Sequence, residues 1–236
     1  MKRILQDKKN LVILLLSILF VLKIPNEGIR FALWVLGGIF VASCSDIIIN
    51  RLFYKKGIVP KSAIISGFIT AGIINYNEPW FLVIIFPVLA VLSKHIIKYK
   101  NRHVFNPANF ALFIAVLSRI PLMWNIESNI YLIIAFGLYI AYSIKKIPHI
   151  IGFLLFFSVP LVMQQANPLL LASWFFIFIM LIEPKTSGFG RIRGFAFGSI
   201  AGITSFLIFK FAPSYDMFVV SLFTANLFKP ILERIK

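Results

Sequence analysis

The chain is a succession of long apolar runs separated by polar gaps of a few residues. Runs at 11–24, 31–50, 58–75, 79–97, 107–119, 128–144, 147–163, 167–183, 193–210 and 215–232 leave no stretch for a soluble domain. A helix of about 20 apolar residues crosses the roughly 30 Å hydrocarbon core of a bilayer. The residues are 60% hydrophobic and 14% charged, with a mean hydropathy of +0.92, so a water-soluble fold would expose large apolar patches. The expected fold class is an all-α polytopic membrane protein. It has about ten transmembrane helices in two related halves (about 11–119 and 128–232), with short or broken helices at the cytoplasmic side. Residues 1–236 are read as a single transmembrane domain.

The polar gaps sort by charge. Lys and Arg gather before the first run, at 51–61, at 94–102, at 145–146, at 185–193 and after 228. The alternate gaps hold only Lys23, Arg30, Arg119 and Lys210, beside Glu27, Glu78, Glu127 and Asp216. This alternation follows the positive-inside rule and places both termini in the cytoplasm of a multi-pass protein of the cell membrane. The net charge of +16 is therefore read as topology, with the lipid bilayer as the partner, not a nucleic acid. Lys2-Arg3 and Lys8-Lys9 before Leu11–Ile24 resemble the start of a signal peptide. No small-x-small cleavage site follows, so the reading is an uncleaved first span. With Cys44 alone, an intrachain disulfide and an iron–sulfur cluster held by this chain are both excluded.

Polar residues inside such a chain carry the functional information. His103-Val104-Phe105-Asn106-Pro107-Ala108-Asn109 leads into a short apolar run. Asn can cap free N–H groups and Pro suits a first helical turn, so a helix starts here. It is either a half-helix beginning inside the membrane, with protein or ligand around its polar start, or a tilted helix fed by a cytoplasmic turn. Ser62, Ser66 and Thr70 repeat at i, i+4, i+8 beside Gly67 and Ala71, for helix packing or for a ligand. Glu183-Pro184-Lys185-Thr186-Ser187 ends the eighth run, with Glu183 either paired to Lys185 or Arg191 or part of a site. Gly188-x-Gly190 is too little for a phosphate loop. Gly194, Gly198 and Gly202 make a seam for close helix approach. Asn226 and Pro230 close the tenth run. Ser66-Gly67…Thr70 with Asn106-Pro107 corresponds loosely to Glu183-Pro184…Thr186 with Asn226…Pro230, which points to a site between repeats.

His95, His103 and His149 lie in or beside basic segments without metal-site partners and read as solvated loop histidines. Asp46, beside Arg51, is a structural acid or an ion-coupling carboxylate. Glu183 is the second candidate for ion coupling.

In order, Ser66-Gly67, Pro79-Trp80, Lys94, His103-Val-Phe105-Asn106-Pro107-Ala108, Glu183-Pro184-x-Thr186-Ser187 and Asn226…Pro230 resemble a family of membrane flavin proteins. Its members are the flavin-carrying membrane components of the sodium-translocating NADH:quinone reductase (NQR) and of the Rnf-type electron transport complex. The resemblance covers about residues 60–232, and Phe105-Asn106-Pro107-Ala108 is its most specific part. It implies ten helices in two related halves, a flavin between them, and electron transfer coupled to ion movement beside other membrane electron-transport subunits. The family's S-G-A-T sequence for covalent FMN is absent, and Glu183 stands where its members usually carry Asp. The flavin expected is therefore non-covalent riboflavin or FMN. Its cofactor-binding residues would be Ser66, Thr70, Phe105, Asn106, Pro107, Asn109, Glu183, Thr186, Ser187 and Asn226. Phe105, Phe110 or Trp174 would offer flat contact, and the amides and hydroxyls suit a flavin's pyrimidine edge. The alternative is a small-solute transporter, with a flavin among its candidate solutes. A third reading is a scaffold that has lost its cofactor.

Overall fold

The computed structural model describes residues 7–55, 59–99, 102–187 and 190–234. Lys2, Arg3, Lys56, Lys100, Gly188 and Lys236, which enter the charge pattern or the glycine pair above, lie outside the described residues. The chain is almost wholly helical. In order come α1 (Lys8–Tyr54), α2 (Lys61–Ile73), α3 (Leu82–Ile96), a two-residue antiparallel ladder of β1 (Lys98–Tyr99) and β2 (Arg102–His103), and α4 (Pro107–Leu117). Then follow α5 (Ile130–Ser143), α6 (Ile147–Met163), α7 (Pro168–Leu171), a π-helical turn at Phe176–Met180, α8 (Arg191–Phe211), α9 (Met217–Leu227) and α10 (Lys229–Leu232).

Two helices, Lys8–Tyr54 and Arg191–Phe211, are long and apolar enough to cross a membrane. The other long apolar helices have 10–17 residues. The first is interrupted at Gly28, whose φ of 78° and ψ of −174° lie outside the helical region. Pro25 removes one N–H just before it, and glycine tolerates the positive φ. The break falls in the polar gap between the first two apolar runs. Lys23 pairs with Glu27 at 3.1 Å, Tyr76 donates to Glu27 Oε2 at 2.8 Å, and Arg30 reaches the Asn77 carbonyl at 3.1 Å.

The chain forms two compact units, Met1–Ile96 with Phe110–Asn129, and Ile97–Asn109 with Ile130–Lys236. In the first, α1 packs on α2 through small residues. A Cβ added at Gly67 would lie 2.7 Å from the Gly38 carbonyl oxygen and 2.8 Å from Ile39 Cα, so the backbones touch there. The hydroxyl ladder beside this seam is satisfied by its own helix. Ser66 donates to the Ser62 carbonyl at 3.0 Å and Thr70 to that of Ser66 at 2.8 Å. After α4 the backbone turns at Arg119 and Trp124, both with positive φ, and lies against the end of α2. Met123 N–H and Ile126 N–H donate to the carbonyls of Ile73 (2.7 Å) and Gly72 (3.0 Å), which fills acceptors that a helix end leaves open. Within this mostly exposed or half-buried stretch, Asn125 and Ile126 are buried, Ile126 fully.

In the second unit α6 and α8 meet along the glycine seam. A Cβ at Gly202 would stand 2.6 Å from the Phe153 carbonyl oxygen, and one at Gly194 would run into the His149 ring. Around the seam Phe153, Phe157, Phe176 and Phe218 form an aromatic core, with ring centroids 5.0–6.5 Å apart. The run at 167–183 is broken rather than continuous. Asn167 caps α7 by accepting Leu169 N–H, and Ser173 Oγ accepts Phe176 N–H to start the next segment. That segment closes with the wide turn from Leu181 N–H to the Phe176 carbonyl.

Candidate functional site: a buried polar cluster in the second unit

Four stretches of chain bring polar side chains together in the second unit: 103–109, 146–149, 180–187 and 219–229. Asn106 sits just before α4. Its Oδ1 accepts Asn109 N–H at 3.2 Å, which caps the helix, and its Nδ2 donates to the Met180 carbonyl at 3.3 Å. Pro107 follows as the first helical residue, where its missing N–H costs nothing. Asn109, fully buried, donates from Nδ2 to the Val219 carbonyl at 3.1 Å, while its Oδ1 has no hydrogen-bond partner among the described residues. Phe105 stacks on Phe223 with centroids 4.6 Å apart and planes 8° from parallel.

The 180–187 segment folds on itself. Thr186 Oγ1 donates to Glu183 Oε2 at 3.0 Å, and Ser187 Oγ and N–H both reach the Glu183 carbonyl, at 2.7 Å and 3.0 Å. Thr186 and Ser187 are buried and Glu183 is half-buried. The Glu183 carboxylate thus bonds within its own loop; the sequence leaves it either paired to Lys185 or Arg191 or part of a site. On the other side, Asp216 caps α9 through Phe218 and Val219 N–H. Val219, Leu222, Asn226 and Lys229 fall at i, i+3, i+7 and i+10, one buried face. Among the described residues neither amide atom of Asn226 has a hydrogen-bond partner, although the residue is 0% exposed.

Two lysines complete the cluster. Lys229 donates to the carbonyls of His103 at 2.6 Å and Lys185 at 3.2 Å. Lys146 donates to the Ser187 carbonyl, and its Nζ lies 3.3 Å from His149 Nε2, which is itself 2.9 Å from the same carbonyl. Lys146 and Lys229 are 5% and 2% exposed, against the expectation of solvated topology charges. His149 is fully buried, so the solvated-loop reading of this residue is corrected: the glycine seam admits the ring where a side chain on α8 would exclude it. His95 is corrected likewise, since its Nε2 stands 3.1 Å from Asp46.

Burial, and then the nearby Lys229 charge, pull the Lys146 ammonium down from 10.5 to about 8. The unfolded chain keeps this proton to about pH 10.5 and the folded chain only to about 8. Between those values the unfolded state binds more protons, so stability rises with pH; below about 8 the penalty is constant. Unfolding in detergent from about pH 7 to about 11 should show that rise, and Lys146→Met should remove it.

Asn106, Asn109, Glu183, Thr186, Ser187 and Asn226 are therefore placed in one unit, with Phe105 and Pro107 at its edge. Ser66 and Thr70 belong to the first unit and bond within their own helix. Asp46 is also there, 4% exposed and ion-paired with Lys94. Lys146, His149 and Lys229 are missed by sequence reading. The only signal for them is Lys146-x-x-His149, a spacing that puts both on one side of a first helical turn. No family model and no curated protein matches the chain.

Proposed function

We propose that the protein is a multi-pass membrane electron carrier that holds a non-covalent flavin in its second unit. In this reading it is related to the flavin-carrying membrane components of the ion-translocating oxidoreductases and works beside other electron-transport subunits. All ten apolar runs lie in the cell membrane, with both termini cytoplasmic. Support for the membrane comes from the two helices long enough to span it and from large apolar side chains such as Leu33, Leu36, Phe40 and Leu52, exposed along one helix.

The observation that carries the flavin reading is the pair of buried second-unit amides with atoms that lack a hydrogen-bond partner among the described residues, Asn109 Oδ1 and both polar atoms of Asn226. Buried polar groups are normally satisfied, and orphaned ones call for a ligand or water. An isoalloxazine edge presents complementary donors and acceptors, which suits this set. A bound flavin would supply the one- and two-electron transfer that no side chain here supplies. The chain's own part is to orient and to bias. Asn106 fixes the start of α4 against the π turn, through the Met180 carbonyl. Phe105 and Phe223 provide flat apolar surface. The buried ammonium groups of Lys146 and Lys229 would favour the reduced, anionic form of a ring near them and raise its potential.

The test is the absorption spectrum of detergent-purified protein before and after dithionite. The expected result is two flavin bands that bleach, with the yellow compound released by acid. A protein that stays colourless after incubation with riboflavin and FMN ends this reading and leaves the solute transporter in its place.

A further inference from the structure

The cations of the second unit gather at one of its ends. There α6 and α8 run in parallel: Gly194 lies against the His149 ring, Gly198 against the His149 carbonyl and Gly202 against the Phe153 carbonyl. Their first turns therefore share an end. Lys146 ties the 185–187 loop to it through the Ser187 carbonyl, and Lys229 ties the start of α10 to the same loop through the Lys185 carbonyl. On these four segments Lys145, Lys185, Arg191 and Arg234 are exposed and Arg193 is half-buried. None of the five is ion-paired among the described residues. The acids of this unit are Glu183, Asp216 and Glu233. Glu183 accepts Thr186, and Asp216 caps α9 at the far end of α8, which leaves Glu233 against five cations. The far end carries Lys210 and Asp216, one of each sign. Immediately beyond the cations, large apolar side chains stand exposed along both helices, Ile151 and Leu155 on α6 and Phe195, Ile203 and Leu207 on α8. The order from the end is charge, then hydrocarbon. We propose that this end binds anionic phospholipids, with phosphate oxygens on the lysines and arginines and acyl chains along the two stripes. One lipid covers both features, whereas an acidic protein would cover the cations alone. Basic groups at a membrane edge add their attractions to an anionic leaflet, and arginine bonds phosphate oxygens in pairs. The inference rests on the membrane reading above and not on the flavin.

Native mass spectrometry of the full chain in detergent, titrated with phosphatidylglycerol and with phosphatidylcholine of the same acyl chains, tests it. The expected result is tighter binding of phosphatidylglycerol, on the order of tenfold or more, with a preference that shrinks as ammonium acetate is raised. Lys145→Gln/Lys185→Gln/Arg191→Gln changes exposed, unpaired side chains, so it should unfold at the parent's temperature. It should lose phosphatidylglycerol affinity by about fivefold for each charge removed. Lys210→Gln, at the far end, should lose none. Equal affinity for the two lipids, or a triple variant no weaker than Lys210→Gln, would overturn the proposal. Phosphatidylcholine still bound in that case would keep the membrane reading and hand the cations to an acidic protein partner. A chain that binds neither lipid and stays soluble without detergent would overturn the membrane reading as well.

Discussion

Lys94→Met is expected to destabilise the protein by about 3 kcal/mol or more, the usual cost of breaking a buried ion pair from one side. Asp46 lies near the C-terminal end of α1, 4% exposed, and Lys94, 7% exposed, reaches it from the end of α3. Without the ammonium, the carboxylate keeps His95, at 3.1 Å, as its one cationic partner among the described residues. An uncompensated charge in this setting must be neutralised or drawn toward water, and either route disturbs the packing of α1 on α3. The double variant Asp46→Leu/Lys94→Met removes both charges and should recover most of the loss. Thermal unfolding in detergent of the parent, both single variants and the double variant gives the coupling directly. Purely additive losses would mean that the two groups do not act as a pair.

Gly198→Ala should cost about 2–3 kcal/mol, although it adds one methyl group. Its Cβ would stand 2.8 Å from the His149 carbonyl carbon and 2.9 Å from Phe153 N, closer still to the carbonyl oxygen, and all of these are backbone atoms. No rotamer change relieves that contact, so α6 and α8 must separate. Gly152 makes the reciprocal approach toward Phe195 and Ser199, which leaves the pair no room to slide. Gly37→Ala is the contrasting case: its nearest neighbours are Val83 methyls at 3.8 Å, and α1 should gain about 1 kcal/mol from helix propensity. The two variants, compared by the same unfolding measurement, should shift stability in opposite directions.

Apolar length and polar punctuation made most helices legible. The runs at 58–75, 79–97 and 128–144 each contain one helix, shortened at its ends, and the run at 147–163 is helical throughout. The glycine triplet of α8 was legible for the same reason, because only close backbone approach uses that spacing. What hydropathy misses is non-helical backbone that is nonetheless hydrogen-bonded into the fold. The stretch from Arg119 to Glu127 reads as a connection because its polarity is mixed, yet its N–H groups finish another helix. The break after α7 is invisible to hydropathy too, since Ala172 and Ser173 are neutral to it. In the candidate site, Asn106 and Asn109 stood out because amides are conspicuous among aliphatics. Lys146, Lys229 and His149 did not, because sequence reading assigns charge beside an apolar run to water. Only tertiary contacts reveal that these side chains turn inward.

The polar cluster is assembled from distant parts of the chain, and this has a consequence for the order of events during synthesis. His103 waits for Lys229, 126 residues downstream, and Asn109 for Val219, 110 residues downstream. At a typical elongation rate of about 5–20 residues per second, the 103–109 segment would leave the ribosome on the order of ten seconds before its partners. Meanwhile the helices of the first unit can close around 110–129, the very next stretch of chain. A nascent protein halted before residue 217 would thus own a finished first unit and an exposed, polar 103–109 turn. That half-made state is where a quality-control protease would be expected to cut.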